Sequence, residues 1–364
     1  MRGTTLVALA ALCACSSGPR PEPRAPAPPL RPTVAAEPPA RPLALDVEID
    51  AGDLQLEGTL LLPPGDGPHP GVVLIHGSGP MDRDGIVQGQ LGRHFGFDVA
   101  PLRDLATALA ASGYAVLRYD KRTCWRDSGC ANAYPKPSFD FDSFERDARA
   151  TLDYLSNRKD VDGDRLLVIG HSQGASLVPR LMTRDPRIAG GVLLAGLHSP
   201  LERAFAYQAD HAKRVLVGRN VHPLVASAKI DHLSKNAAAL RRLRNGRYYD
   251  STLDDLPVDF WKQWADAVDR APALARKLDR PLLIVGGQAD SNVPAIEALA
   301  WRRSLQDSSA AHQVVVLPCV THALNCLRRP STGELARHRD GMIASPDIAP
   351  SVIEAVTGYL GSRR

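Results

Sequence analysis

RLLVIGHSQGA, residues 165 to 175, decides how this chain folds. Four apolar residues, Leu166 to Ile169, run without polar alternation, which suits a strand buried on both faces. They lead straight into Gly170-His171-Ser172-Gln173-Gly174. G-x-S-x-G at the exit of a buried strand is a tight strand-to-helix turn, in which the serine is strained and its hydroxyl presented, while the glycines let the backbones approach. A serine hydroxyl is a weak nucleophile, so the turn needs a base within hydrogen-bond reach and an acid to orient that base.

Working outward, similar apolar runs recur at GVVLIHG (71–77), YAVLRYD (114–120), GGVLLAG (190–196), PLLIVGG (281–287) and HQVVVLP (312–318). Residues 43–62 instead alternate, which predicts two antiparallel strands joined at Asp50 to Asp53. Helical patterns fall between the runs at 101–112, 141–157 and Pro294 to Ser308, with a last one at Ala349 to Leu360. The pattern predicts an α/β protein: a mostly parallel eight-stranded sheet with helices on both faces and reactive loops beyond the carboxyl ends of the strands. Residues 197–280 interrupt the rhythm with no convincing strand and read as a helical cap insertion. Trp261, Trp264 and the basic run Arg241-Arg242-Leu243-Arg244 lie within it, and packing and solvated surface explain them better than a pocket.

Of the eleven histidines, only His312, His322 and His338 follow a plausible acid after PLLIVGG. His312 opens the next strand, and His338 lies well beyond it in an arginine-rich stretch. His322 stands four residues past Pro318, in a loop at the carboxyl end of a strand, and is the candidate base. Asp290 is the candidate acid, although D-S-N before a proline is also a common turn or helix cap; Glu202 is the reserve. The order Ser172, Asp290, His322 is that of an α/β-hydrolase. A developing oxyanion needs fixed N–H donors. One is the backbone N–H of Gln173. His76-Gly77-Ser78-Gly79-Pro80 resembles an HG-x oxyanion loop, with Ser78 as the second donor, Gly79 as the alternative and His76 structural.

Taken together, HGSGPMDRDG (76–85), LRYDKR (117–122), GHSQGA (170–175) and GGQADSNVP (286–294) make the body resemble the α/β-hydrolase superfamily. More narrowly it is similar to the bacterial branch of exported esterases near dienelactone-hydrolase-like and serine-aminopeptidase-like proteins. The resemblance implies hydrolysis of a small-molecule carboxylic ester through a Ser-His-Asp triad and an acyl-enzyme, with no cofactor and no metal. Thioesterase, acyltransferase and peptidase chemistry use the same triad, and a non-catalytic envelope binding lipoprotein is the reading from another class. Where that branch continues LRYDKRG-x-G-x-S, this chain has Arg122-Thr123-Cys124-Trp125-Arg126-Asp127-Ser128-Gly129-Cys130.

The first residues carry an export pattern. Met1 and Arg2, an apolar run from Leu6 to Leu12, and small residues after it read as a signal peptide over 1–14, too short to span a bilayer. Leu12-Cys13-Ala14-Cys15 resembles a lipobox with Cys15 as the lipidated residue, and the alternative is plain secretion or a periplasmic protein. Residues 15–42 are then a lipidated cysteine and a proline-rich spacer that would anchor the protein to the bacterial cell envelope, at the outer membrane, and hold the hydrolase domain, 43–364, off the membrane surface. Residues 1–45 hold five arginines and two glutamates, or +3 of the formal +4, so the body is nearly neutral and no nucleic-acid partner is indicated. In an exported chain the remaining Cys124, Cys130, Cys319 and Cys326 favour disulfides. Pairing Cys319 with Cys326 and Cys124 with Cys130 is one of three arrangements. CVTHALNC (319–326) could also supply three metal ligands, at the cost of the imidazole that Ser172 requires.

Overall fold

Strands that are apolar on both sides can be buried only if helices cover both faces of their sheet. The computed structural model describes residues 41–86, 99–124, 139–216, 223–327 and 347–362, and its strands are arranged in that way. In chain order they are β1 (Leu43–Asp50), β2 (Gln55–Leu62), β3 (His69–Ile75), β4 (Ala115–Tyr119), β5 (Val161–His171), β6 (Ile188–Leu194), β7 (Thr252–Leu253), β8 (Leu256–Pro257), β9 (Leu282–Gly287) and β10 (Gln313–Leu317). Eight of them form one sheet in the order β1-β2-β4-β3-β5-β6-β9-β10. The β1–β2 and β2–β4 pairs are antiparallel and the other five parallel.

Eight helices are described: α1 (Pro101–Ala111), α2 (Phe141–Ser156), α3 (Val178–Arg184), α4 (Leu201–Leu216), α5 (Pro223–Arg244), α6 (Val258–Ala275), α7 (Ala295–Leu305) and α8 (Pro350–Gly361). Side-chain alternation sorts each strand between two cores. Leu166 and Val168 of β5 join the core with Phe141 of α2, Leu181 of α3, Trp264 of α6 and Trp301 of α7. Leu167 and Ile169 join Leu105 of α1 and Val352 of α8 on the other face. Helix starts follow the local chemistry: Pro101 opens α1, where its missing N–H costs nothing. Asp140 caps α2 by accepting from the Ser143 N–H at 2.8 Å.

Two features differ from the sequence expectation. The 197–280 segment contains a short antiparallel ribbon, β7–β8, where no strand was read, because two-residue strands carry no periodicity. The segment also divides. Helices α4 and α5 share a small apolar cluster, Ala209, Ala212, Ala226, Ile230 and Leu233. Helix α6 packs into the main core, with Trp264 stacked on Phe141 at 6.1 Å and Trp261 on Trp264 at 5.6 Å. Strand β5 begins four residues earlier than read, at Val161, since Asp162 to Arg165 break the apolar run and are partly covered or exposed, and the continuously enclosed stretch starts at Leu166.

The exit of β4 is anchored by a buried arginine. Arg122 Nε donates to Asp147 Oδ2 at 2.8 Å and its Nη2 to Asp147 Oδ1, while Nη1 donates to Asp53 Oδ2 at 2.9 Å. The Arg122 and Asp147 side chains are 0% and 1% exposed, against 53% for Asp53. Removing one partner of a fully buried ion pair strands the other charge. Asp147→Ala is therefore expected to lower the unfolding free energy by about 3–5 kcal/mol, and Asp53→Ala by about 1 kcal/mol or less. Urea midpoints at unchanged slope measure both, and equal losses would contradict this ranking.

Candidate active site

At the end of β5 the chain turns abruptly. Ser172 has φ +53°, in the left-handed region where a non-glycine residue costs about 1–3 kcal/mol. A single 3₁₀ turn, Ser172–Ser176, leads into α3. Gly174 must lack a side chain, because a Cβ there would lie 2.5 Å from the carbonyl oxygen of His76. That close approach seats the loop after β3 beside the nucleophile position.

The structure brings the three sequence-selected residues together. His322 Nε2 lies 3.0 Å from Ser172 Oγ, and His322 Nδ1 lies 2.9 Å from Asp290 Oδ2. The Asp290 side chain is fully buried and that of His322 is 14% exposed. Asp290 faces two ways: Oδ1 accepts from the N–H groups of Asn292 and Val293 at 2.7 and 2.8 Å, the turn that D-S-N suggested, while Oδ2 faces the imidazole. The turn fixes the carboxylate, and the fixed carboxylate orients the ring. Glu202, the reserve acid, is elsewhere, held by Arg244 at 2.7 Å. His312 receives the Leu282 N–H at the start of β10. His338, Trp125 and Cys130 lie outside the described residues, as do residues 1–40, with Cys15 and all but the last two residues of the linker.

Cys319 and Cys326 form a disulfide with their Cα atoms 4.9 Å apart. In this structure the two sulfurs of CVTHALNC are bonded to each other and are not thiolates. Cys124 is also disulfide-bonded; Cys130, expected as its partner, is among the undescribed residues. Inside the Cys319–Cys326 ring, Thr321 and Asn325 are buried and hydrogen-bond through both backbone and side chains. The ring passes tightly over β9: a Cβ on Gly287 would sit 2.2 Å from the Val320 carbonyl oxygen.

Several supporting residues were not visible in the sequence. His171 Nε2–H donates to the carbonyl oxygen of His322 at 2.8 Å, so the residue before the nucleophile holds the backbone of the base. Tyr207 and Gln208 of α4 donate to the carbonyls of Asp290 and Asn292 at 3.4 and 3.1 Å. Ser78 and Gly79 are exposed in the loop after β3, and Gln173 is buried. Trp261 and Trp264 are core residues, as packing predicted.

With this geometry in place, comparison with known proteins adds context. The model of a hydrolase family described as serine aminopeptidase, S33, matches residues 98–325, well over half of the chain. Esterase EstD of Thermotoga maritima is 29% identical over 257 residues, covering 69% of this chain and 53% of that protein. The chain thus spans about half the length of the curated relative it matches. Among solved structures, Est1E from Butyrivibrio proteoclasticus with ferulic acid bound aligns at a TM-score of 0.52 and 18% identity, over 87% of this chain and 98% of that one. Another structure of Est1E gives 0.50 and 17% over the same shares. The likeness at that identity is one of fold, and the fold is that of the α/β-hydrolases.

Two imidazoles beside the site are buried and neutral. Burial pushes His171 and His76 down to about 3 from the usual 6.5. Unfolded, both would protonate near the ordinary value, so between about pH 6.5 and about pH 3 the unfolded chain binds more protons and stability falls with pH. Each contributes up to about 1.4 kcal/mol per pH unit in that window. His76→Gln is expected to show a shallower loss of unfolding free energy between about pH 6 and about pH 4 than the parent chain. Identical slopes in urea titrations would contradict the neutral burial of His76.

Proposed function

We infer from this site that the chain, which belongs to the serine aminopeptidase S33 family, is a serine hydrolase that cleaves carboxylic esters through Ser172, His322 and Asp290. The observation that carries the reading is the unbroken line from Ser172 Oγ through His322 to Asp290, with contacts of 3.0 and 2.9 Å. In this reading His322 Nε2 takes the Ser172 proton as Oγ attacks the ester carbonyl. Asp290 keeps the ring in the Nδ1–H tautomer and stabilises its charged form. Backbone N–H groups of Gln173 and Ser78 bind the oxyanion. Collapse expels the alcohol, which takes its proton from His322, and an acyl group remains on Ser172. Water activated by His322 then frees the acid and restores the serine.

An ester is favoured over a peptide with a free N-terminus, because the latter needs a carboxylate to receive the amine. Glu202 is committed to Arg244, and buried Glu297 accepts the backbone N–H groups of His198 and Ser199 at 2.8 and 2.7 Å. Esterase EstD and Est1E, by their names, point the same way. Substrates in this reading are small or medium acyl esters.

Treatment with a fluorophosphonate should label the purified chain at one site, and Ser172→Ala should abolish both label and turnover of p-nitrophenyl esters; equal labelling of the variant would sink the assignment. Because protonated His322 cannot accept the serine proton, kcat/KM should fall on the acid side, and a rate flat from about pH 8 to about pH 4 would count against a histidine base. Cys15 is the lipid attachment point in this reading, placing the body on the bacterial envelope. Cys15→Ala should move the protein from the membrane to the soluble fraction, and retention of the variant on membranes would contradict that anchor.

A further inference from the structure

The LRYDKR stretch supplies a lysine that the proposed chemistry leaves unused. Lys121 follows β4, is 4% exposed, and points its ammonium inward beneath the turn that carries Ser172. Nζ donates to the carbonyl oxygen of Gly77 at 2.6 Å and to Gln173 Oε1 at 2.7 Å. It also lies 4.4 Å from the centroid of Phe144 and lines a cavity of about 10 Å³ with His76, Tyr119, Asp147 and Leu177. Among the described residues no carboxylate forms an ion pair with it. Asp147, the nearby acid, has both oxygens taken by Arg122.

The two acceptors are what give this lysine a role. A trans peptide is planar, with its carbonyl and N–H pointing to opposite sides. The Gly77 carbonyl and the Ser78 N–H belong to one peptide, so a bond that fixes the first fixes the direction of the second, away from Lys121. That peptide stands at the nucleophile: a Cβ on Gly77 would come within 3.4 Å of Ser172 Cβ. The other acceptor is the side chain of Gln173, whose backbone N–H is the second proposed donor. A cation behind a peptide also polarises it, and a polarised peptide is a stronger donor on its far side. We propose that Lys121 is a positioning residue for the reaction, tying the two oxyanion-binding segments to each other and aiming the Ser78 and Gln173 N–H groups at the developing charge.

Neighbouring contacts hold the same loop from the same side. The Lys121 N–H donates to the Met81 carbonyl at 3.2 Å, and Thr123 Oγ1 donates to the Gly79 carbonyl at 2.8 Å. Asp120 accepts from the backbone N–H and guanidinium of Arg83 at 2.6 to 3.2 Å. The exit of β4 thus grips residues 77–83 at four points, and only the Lys121 side chain reaches through to the residue after the nucleophile. Burial pushes the Lys121 ammonium down to about 7. Two N–H groups suffice for the two bonds, and both the ammonium and the neutral amine have them.

This inference rests on the serine-hydrolase reading, and the experiment separates the two. Lys121→Met and Lys121→Gln are assayed on p-nitrophenyl butyrate, with active sites counted by fluorophosphonate so that only folded enzyme is compared. Expected is a fall in kcat of about 10- to 100-fold for Lys121→Met, below the loss from deleting a donor outright, with KM within about threefold. Binding of a trifluoromethyl ketone, which forms a tetrahedral adduct, should weaken by the same factor as kcat/KM. Lys121→Gln, which keeps two donors on a shorter arm, should lose less, and it carries the test if the methionine variant does not fold. A kcat within about twofold of the parent in a folded variant, or a loss confined to KM, overturns the role of Lys121 while leaving the triad standing. A parent chain that neither takes the label nor hydrolyses the ester overturns the hydrolase reading itself.

Discussion

The carboxyl edge of this sheet is governed by how closely the backbone leaving β5 passes the backbone leaving β3. The strands are neighbours in parallel register from Gly71 with Leu166 to Ile75 with Gly170, so their exits emerge side by side. A turn with ordinary side chains would push them apart; the absence of a Cβ at Gly174 allows it to approach the His76 carbonyl. Ser172 accepts a strained φ as a result. The cost is offset locally, because the turn is buried on all sides except at the serine and its backbone is bonded within the 3₁₀ turn. The Ser176 hydroxyl adds a bond to the Gln173 carbonyl at 2.6 Å.

A second set of restraints acts on His322, the proposed base. A histidine on a long loop would wander, and an imidazole displaced by an ångström loses much of its value in proton transfer. Here the loop is closed by the Cys319–Cys326 bond and filled by Thr321 and Asn325. It is pressed onto Gly287 and bonded to His171. The last contact joins the two halves of the site through backbone: His171 adjoins Ser172 and grips the carbonyl of His322. The separation of Ser172 and His322 is therefore set by main-chain geometry, and the hydrogen bond between Oγ and Nε2 follows from it.

How much of this was legible in the sequence depended on whether a residue's neighbours are near in the chain. The parallel strands were readable since runs such as Leu166 to Ile169 are apolar for both cores at once, and the meeting of Ser172, Asp290 and His322 was readable since each stands at the exit of such a run. The polar start of β5 and the two-residue strands β7 and β8 were not, because neither has a pattern to detect. Helix α6 read as part of a cap, since amphipathicity reveals that a face is buried but not against what; its Trp264 stacks on Phe141 of α2, and its Trp261 packs on Phe205 of α4. His171 and Lys121 escaped notice because their partners lie 151 and 44 to 52 positions away. A lysine followed by an arginine after a strand looks like surface charge until burial is known.

Those two adjacent cations, Lys121 and Arg122, are buried in different ways, and the difference says what each is for. Arg122 meets carboxylates on two sides and holds the exit of β4 to α2 and to the β1–β2 turn. Among the described residues, Lys121 meets a carbonyl, an amide oxygen and a ring face, with no carboxylate bonded to it. A buried cation without a carboxylate partner is poorly compensated for its lost hydration, so it is a weak source of stability. Its two bonds nevertheless go to the residues on either side of Ser172 in space, one in each loop of the proposed oxyanion site. Arg122 supplies the rigidity from which the lysine can act: it occupies Asp147, leaving the Lys121 amine no nearby carboxylate to turn toward, and so directs it to Gly77 and Gln173.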